Sequence, residues 1–160
     1  MYLGIDVSKS TLDCCLISDG IFFERQFKNN RAGFEQLKSW LDKNGATNAL
    51  HCCCEATGKY YESVAEYLSK YYRMSVENPR KIKGFGTAVL QRSKTDRQDA
   101  KTIAQYCKAL EPRPWQKPTE AQTKLRELTR YQHRLKRQKA AEQTKLQTAP
   151  TYLLPLIQSS

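Results

Sequence analysis

The first 27 residues, MYLGIDVSKSTLDCCLISDGIFFERQF (residues 1–27), decide the fold class. Residues 1–7 are apolar at most positions on both faces, which predicts a strand that lies inside a sheet. TLDCCLIS (residues 11–18) predicts a second strand, and IFFERQF (residues 21–27) predicts a third strand after the turn that Gly20 closes. Three short strands in succession indicate an antiparallel meander.

Helices and strands alternate after the meander. A helix that Asn30 can cap precedes a fourth strand at residues 49–55, and a second helix carries an apolar stripe that begins at Tyr61. A fifth strand is predicted at residues 73–78, with helices after Pro79 and from near Thr95. This order predicts an α/β protein whose mixed five-stranded sheet is covered by helices.

The chain is predicted to continue beyond this domain as one long helix. Residues 1–110 form the predicted α/β domain, and residues 111–118, with three prolines in EPRPWQKP, form a linker. Residues 119–147 contain no proline or glycine and predict a basic helix with a sparse heptad of leucines, a weak coiled-coil signal. Residues 148–160 are apolar and are interpreted as the start of a segment that the chain cuts short.

Charge and cysteine usage limit the class of protein. Lysine and arginine number 27 against 16 acidic residues, so the formal net charge of +11 favours an anionic partner, first of all nucleic acid. No apolar run approaches the roughly 20 residues of a membrane span, and no signal peptide is visible, so we expect a cytosolic protein, nucleoid-associated in a bacterium. The six cysteines are mostly adjacent to one another and are interpreted as buried apolar residues, with a metal cluster in HCCCE as the less favoured alternative.

Four carboxylates are candidates for chemistry. Asp6 lies inside an otherwise apolar strand, and Glu55 ends the fourth strand, so both are expected at the crevice where α/β sheets bind ligands. Asp96 and Asp99 are three residues apart and share one helix face. Ordinary strand-end acids and acids that favour a helix N-terminus are the structural alternatives. Taken together, the four carboxylates predict a site for Mg²⁺ or Mn²⁺ and metal-assisted phosphoryl transfer.

Basic side chains surround these acids and are predicted to hold the phosphates of a nucleic-acid backbone. The helix at 119–147 carries a second basic group, for which nucleic-acid contact and self-association are both open uses. The predicted nucleic-acid contacts are Lys59, Arg80, Lys81, Lys83, Arg92, Lys94, Arg97, Lys101, Arg130, Arg134 and Arg137.

Four motifs resemble one known family. GIDVSK (residues 4–9), EATG (55–58), NPRKIKGF (78–85) and KTDRQDA (94–100) occur in the order found in the DEDD transposases of bacterial insertion sequences. The chain resembles the insertion-sequence one-ten type, which includes the Piv pilin-gene invertases. The resemblance implies an RNase H-like fold of the RuvC kind, with Asp6, Glu55, Asp96 and Asp99 as catalytic metal ligands.

The resemblance also implies partners. Members act on DNA, continue into a second domain with a catalytic serine that is not assigned here, and are similar to recombinases that bind a structured guide RNA. The long helix after the catalytic domain would then build a homodimer or a higher oligomer through residues 119–147.

Three other interpretations remain open. A stand-alone nuclease similar to Holliday-junction resolvases would use the same four acids and cleave branched DNA without the second domain. A non-catalytic nucleic-acid-binding or dimerisation module would use them only structurally. An ATP-handling protein of the sugar-kinase and actin type would need glycine-rich phosphate loops, for which seven glycines and 160 residues leave little room.

Overall fold

The computed structural model describes residues 1–56, 58–89 and 96–148, apart from the side chains of residues 89, 96–98 and 148. The described chain has two compact units: the first spans Met1–Gln116, and the second begins at Lys117. The predicted helix start at Thr95, the predicted contacts Arg92 and Lys94, and the tail after residue 148 lie outside the described residues, as do the side chains of Asp96 and Arg97.

Five strands form one sheet in the order β3-β2-β1-β4-β5. Their bounds are Tyr2–Val7 (β1), Thr11–Ser18 (β2), Ile21–Lys28 (β3), His51–Glu55 (β4) and Arg73–Glu77 (β5). The first three strands pair antiparallel, which confirms the meander, whereas β4 runs parallel to both β1 and β5. The predicted mixed five-stranded α/β sheet is therefore confirmed, and it is consistent with an RNase H-like fold.

Five helices accompany the sheet in the described residues. Their bounds are Arg31–Lys43 (α1), Glu62–Leu68 (α2), Pro79–Val89 (α3), Asp96–Leu110 (α4) and Glu120–Thr148 (α5). Asn30 caps α1 as predicted, because its side-chain oxygen accepts a hydrogen bond of 2.9 Å from the Gly33 amide. The fold class and the long C-terminal helix thus follow the sequence prediction.

The two faces of the sheet are covered differently. On one face, apolar residues of β1 such as Leu3 and Ile5 pack with Leu37 of α1 and Leu68 of α2 in the main core. On the other face, α4 lies directly against β1, because Gly4 has no side chain to hold it away. This close approach sets where the first turn of α4 lies relative to the ends of the strands.

The second unit is helical in its described part. α5 extends over 29 residues and exposes Leu125, Leu128 and Leu135 at 66%, 67% and 45% of their surface. These leucines occupy the heptad positions that the sequence predicts. Among the described residues, every helix is either too short or too polar to cross a bilayer.

Candidate active site

Asp6 and Glu55 lie side by side at the carboxyl ends of two parallel strands. The β1–β4 ladder ends with Ile5 opposite Cys54, so Asp6 and Glu55 are the next pair along it. Side chains alternate along a strand, and Gly4 and Cys53 both face α4, so the two carboxylates point to that same face. Both side chains are partly buried.

Asp99 of α4 completes a group of three neighbouring carboxylates. The pKa of Glu55 is raised above its usual range, first by burial and then by the negative charges of Asp6 and Asp99. The fold thus brings within electrostatic range three acids that are far apart in sequence. Asp96 lies in the first turn of the same helix, and its side chain is outside the described residues.

The three acids interact electrostatically but do not form a closed metal cage. Among the described side chains, no three His, Cys, Asp or Glu groups are arranged as ligands of one ion. Their chemistry nevertheless fits a hard divalent cation, because clustered carboxylate oxygens are the ligands such ions take. The raised pKa of Glu55 adds to this fit, since a nearby positive charge would relieve the repulsion.

Two acids that the sequence analysis did not single out flank this group. Asp13 of β2 pairs in register with Asp6, and Glu77 of β5 pairs with Glu55, so four acids lie on one row across the sheet. Glu77 is the last residue of β5, as Glu55 is the last residue of β4. This shared position at a strand end could have identified Glu77 from the sequence.

Each of the two flanking acids has a local partner. Asp13 accepts a hydrogen bond of 2.9 Å from the Gln26 side-chain amide. Glu77 forms an ion pair of 3.0 Å with Lys81, and it helps to raise the pKa of the buried Tyr106. The outer positions of the row are therefore compensated locally, whereas Glu55 faces like charges.

Three loops meet at this end of the sheet. The Asn29 side-chain amide donates to the Ser8 carbonyl at 2.8 Å and to the Tyr60 carbonyl at 3.2 Å. It thereby ties the turn after β1 to the loop after β4, which are the segments that follow Asp6 and Glu55. Asn29 is a positioning residue that the sequence analysis missed, because both of its partners are distant from it in sequence.

The predicted phosphate-binding residues of the first unit fall into two groups. Lys59, Arg80 and Lys83 are exposed. Lys81 is exposed but pairs with Glu77, and the ammonium of the partly buried Lys101 lies 4.2 Å from the ring centroid of Phe22. The structure thus leaves the first group open to solvent and gives the second group local partners.

Three of the basic residues of α5 share one helix face. Arg130, Arg134 and Arg137 are exposed at spacings of four and three residues. The Arg134 guanidinium lies 5.1 Å from the Tyr131 ring centroid, which holds one of the three charges near an aromatic surface.

All six cysteines are free and buried. Burial raises the pKa of the thiols of Cys14, Cys52 and Cys54 well above the usual range, so these thiols stay neutral at physiological pH. They fill the core as small apolar residues, as the sequence analysis favoured.

A second polar cluster lies at the amino ends of the same strands. The His51 Nε2 atom lies 2.8 Å from the Ser75 hydroxyl oxygen, and that hydroxyl is within 3.0 Å of the Pro112 and Arg113 carbonyl oxygens. Arg73 donates to the Glu111 and Pro112 carbonyls. This cluster attaches the segment after α4 to β5.

Comparison with known proteins identifies the family of the chain. A family profile described as a transposase, of the DEDD transposases of the IS110 type, matches residues 3–153. The chain is 34% identical over 154 residues to the pilin gene-inverting proteins of Moraxella bovis and Moraxella lacunata. These alignments cover 95% of the chain and 48% of each relative, so the chain spans about half the length of those relatives. The chain belongs to the IS110-type family of DEDD transposases.

Proposed function

We propose that this chain is the catalytic part of a DNA transposase or site-specific recombinase that transfers phosphoryl groups on DNA. The observation that supports this most is the approach of Asp6 and Asp99 to Glu55, whose pKa is raised first by burial and then by these two like charges. A cluster that a cation would relieve fits a metal-dependent nuclease centre.

Each acid has a role in this proposal. Asp6, Glu55, Asp96 and Asp99 hold Mg²⁺ or Mn²⁺, with β1, β4 and α4 as the rigid elements that carry them. When bound, the cation supplies activation of the attacking oxygen and stabilisation of the leaving oxygen. The acids on the outer positions, Asp13 and Glu77, stay with their own partners.

The basic residues would position the DNA backbone. We place Lys59, Arg80 and Lys83 on the phosphates, together with Arg92, Lys94, Arg97 and Lys101, which flank the two aspartates in sequence. Positive charge beside an acidic centre attracts the polyanion without competing for the cation.

Partners beyond DNA are part of the same proposal. The exposed leucines of α5 favour a homodimer or a higher oligomer, because a stripe of apolar side chains on a free helix is stabilised by a second helix. Arg130, Arg134 and Arg137 would contact nucleic acid, including a structured guide RNA. The two Moraxella relatives are named for inverting a pilin gene, and an analogous exchange of DNA strands is proposed here for a protein that includes this chain.

Cation binding tests the site directly. Mn²⁺ titration followed by electron paramagnetic resonance should show binding by the wild-type chain and at least about 100-fold weaker binding by Asp6→Asn and Glu55→Gln, since even outer-shell partners of metal ligands contribute about 10- to 100-fold. Asp13→Asn is the matched control, because Asp13 lies in the same row and bonds to Gln26. Unchanged Mn²⁺ affinity in Asp6→Asn would refute the metal site.

DNA cleavage separates the alternatives. Magnesium-dependent cleavage of branched DNA by these 160 residues would favour a resolvase-like nuclease, whereas the proposal expects strand exchange only from a longer protein. DNA binding that persists without any cation binding would assign the chain to a non-catalytic binding or dimerisation module.

A further inference from the structure

Two adjacent tyrosines in the loop after β4 have opposite environments. Tyr61 is 4% exposed and belongs to the main core, whereas Tyr60 is 45% exposed. Tyr60 lies five residues after Glu55, at the end of the sheet that carries the acids. Building on the proposed function, we propose that the Tyr60 ring is a stacking platform for a nucleobase of the DNA beside the carboxylates.

The backbone around Tyr60 holds the ring in place. Gly58 adopts a φ of +59°, and a Cβ atom there would lie 3.8 Å from Cδ2 of Tyr60, so the ring edge rests beside Gly58. The Tyr60 carbonyl oxygen accepts a hydrogen bond from Asn29, which also binds the Ser8 carbonyl. The ring is therefore presented from a loop that is tied to the segment after Asp6.

Tyr71 shows what an exposed tyrosine with a structural role looks like in this protein. Tyr71 is 41% exposed, but its ring packs 5.5 Å from Tyr67, and the Lys38 ammonium lies 5.0 Å from its centroid. Among the described residues, Tyr60 has neither an aromatic partner nor a cation over its ring. Its exposed ring is thus unexplained by packing within the described chain.

The surroundings of Tyr60 favour nucleic acid as its partner. Lys59 precedes Tyr60 in the chain, and Lys9 lies in the turn after β1 that Asn29 ties to this loop; both lysines are exposed. Proteins that bind unpaired bases combine these features, because the cations track phosphates while an aromatic face accepts any base. The ring would hold a base next to the phosphate that reacts, which makes Tyr60 a positioning residue.

Fluorescence of 2-aminopurine in the DNA tests the stacking. We expect wild-type chain and Tyr60→Phe to quench a 2-aminopurine probe in single-stranded DNA, since both keep the ring. Tyr60→Leu should lose the quenching and bind this DNA about 5- to 150-fold more weakly, the range given by loss of one stacked base. Tyr71→Leu is the matched control and should behave as wild type.

The outcomes distinguish this inference from the proposed function. If wild-type chain binds and quenches the probe and Tyr60→Leu does the same, the stacking role is wrong while the metal site stands on its Mn²⁺ titration. Equal losses in Tyr60→Phe and Tyr60→Leu would also overturn it, because the hydroxyl rather than the ring would then be responsible. Absence of DNA binding by the wild-type chain would refute both proposals.

Discussion

The two ends of one sheet carry polar clusters of opposite character. At the amino ends of β4 and β5, His51, Ser75 and Arg73 bond to one another or to carbonyls of the following segment. At the carboxyl ends, burial and then the like charges of Asp6 and Asp99 raise the pKa of Glu55. β4 carries a member of each cluster, so the difference arises from the side chains at each end.

The cluster at the amino ends follows the general rule for buried polar groups. Buried polar groups that only support the fold find partners, because an unpaired group costs free energy. At the amino ends, His51 follows this rule through Nε2, although its Nδ1 atom is buried without a hydrogen-bond partner among the described atoms. At the other end, burial and the neighbouring like charges of Asp6 and Asp99 both disfavour the ionised form of Glu55.

The largest effect is expected from Gly4→Ala, which would displace α4 from β1 and so disturb the sheet near both polar clusters. The added Cβ would overlap the Ala100 carbonyl oxygen and the Ala104 amide nitrogen, so the helix must shift. We expect a loss of about 3 kcal/mol in the free energy of unfolding, the upper end for overpacking, together with weaker Mn²⁺ binding. Urea unfolding measures the first effect.

Gly84→Ala in α3 is the matched control for this substitution. A Cβ atom at this position would have no atom within 4 Å among the described residues, so alanine should be tolerated and gain roughly 0.5–1 kcal/mol from helix propensity. An unfolding midpoint of Gly4→Ala equal to that of the wild type would contradict the close packing of α4 on β1.

Low pH should reduce the stability that the cluster at the amino ends of β4 and β5 contributes. Burial, with a smaller contribution from Arg73, lowers the pKa of His51 to about 4 from 6.5, so the folded state keeps this ring neutral. The contribution of the neutral His51 ring to the free energy of unfolding is fully present above pH 6.5. It is lost as the pH falls through 4, by about 3 kcal/mol in all. Urea unfolding at about pH 7 and about pH 4.5 should show this loss in wild type and a smaller one in His51→Gln.

The exposed His133 of α5 supplies the control variant, His133→Gln. Glu55 acts in the opposite sense: its raised pKa means that stability falls as the pH rises through that pKa. Identical pH slopes in wild type and His51→Gln would show that His51 does not carry the acid sensitivity.

Removing one polar side chain from each end should give effects of opposite sign. Ser75→Ala removes a hydroxyl that contacts His51 and two carbonyls, and we expect a loss of about 1–2 kcal/mol. Glu55→Gln removes repulsion and should raise the free energy of unfolding in cation-free buffer. Thermal unfolding of both variants in chelator measures the pair, and a loss of stability in Glu55→Gln would show that its charge is compensated.

The smallest effect is expected at the outer edge of the acidic row. Lys81 is 63% exposed, so Lys81→Met should cost no more than about 0.5 kcal/mol despite the ion pair with Glu77. Mn²⁺ affinity should change by less than about twofold, the size expected from one screened surface charge. Clearly tighter Mn²⁺ binding in this variant would instead place Glu77 within the cation site.

Local sequence signals predicted the elements well, and they placed Glu55 at a strand end. Short apolar runs marked the strands, and Asn30 marked the start of α1. Position along the chain could not show that Asp13 and Glu77 share a row with Asp6 and Glu55, because that depends on strand register. It also could not separate Tyr60 from Tyr61.

The sequence by itself determined the periodicity of each element, the family motifs and the excess of positive charge, because these depend on neighbouring residues and on composition. Only the tertiary structure decided the strand order β3-β2-β1-β4-β5 and the contact of α4 with Gly4. Those choices bring Asp6, Glu55 and Asp99 together, since packing between segments that are roughly 50 residues apart selects neighbours that no local preference encodes.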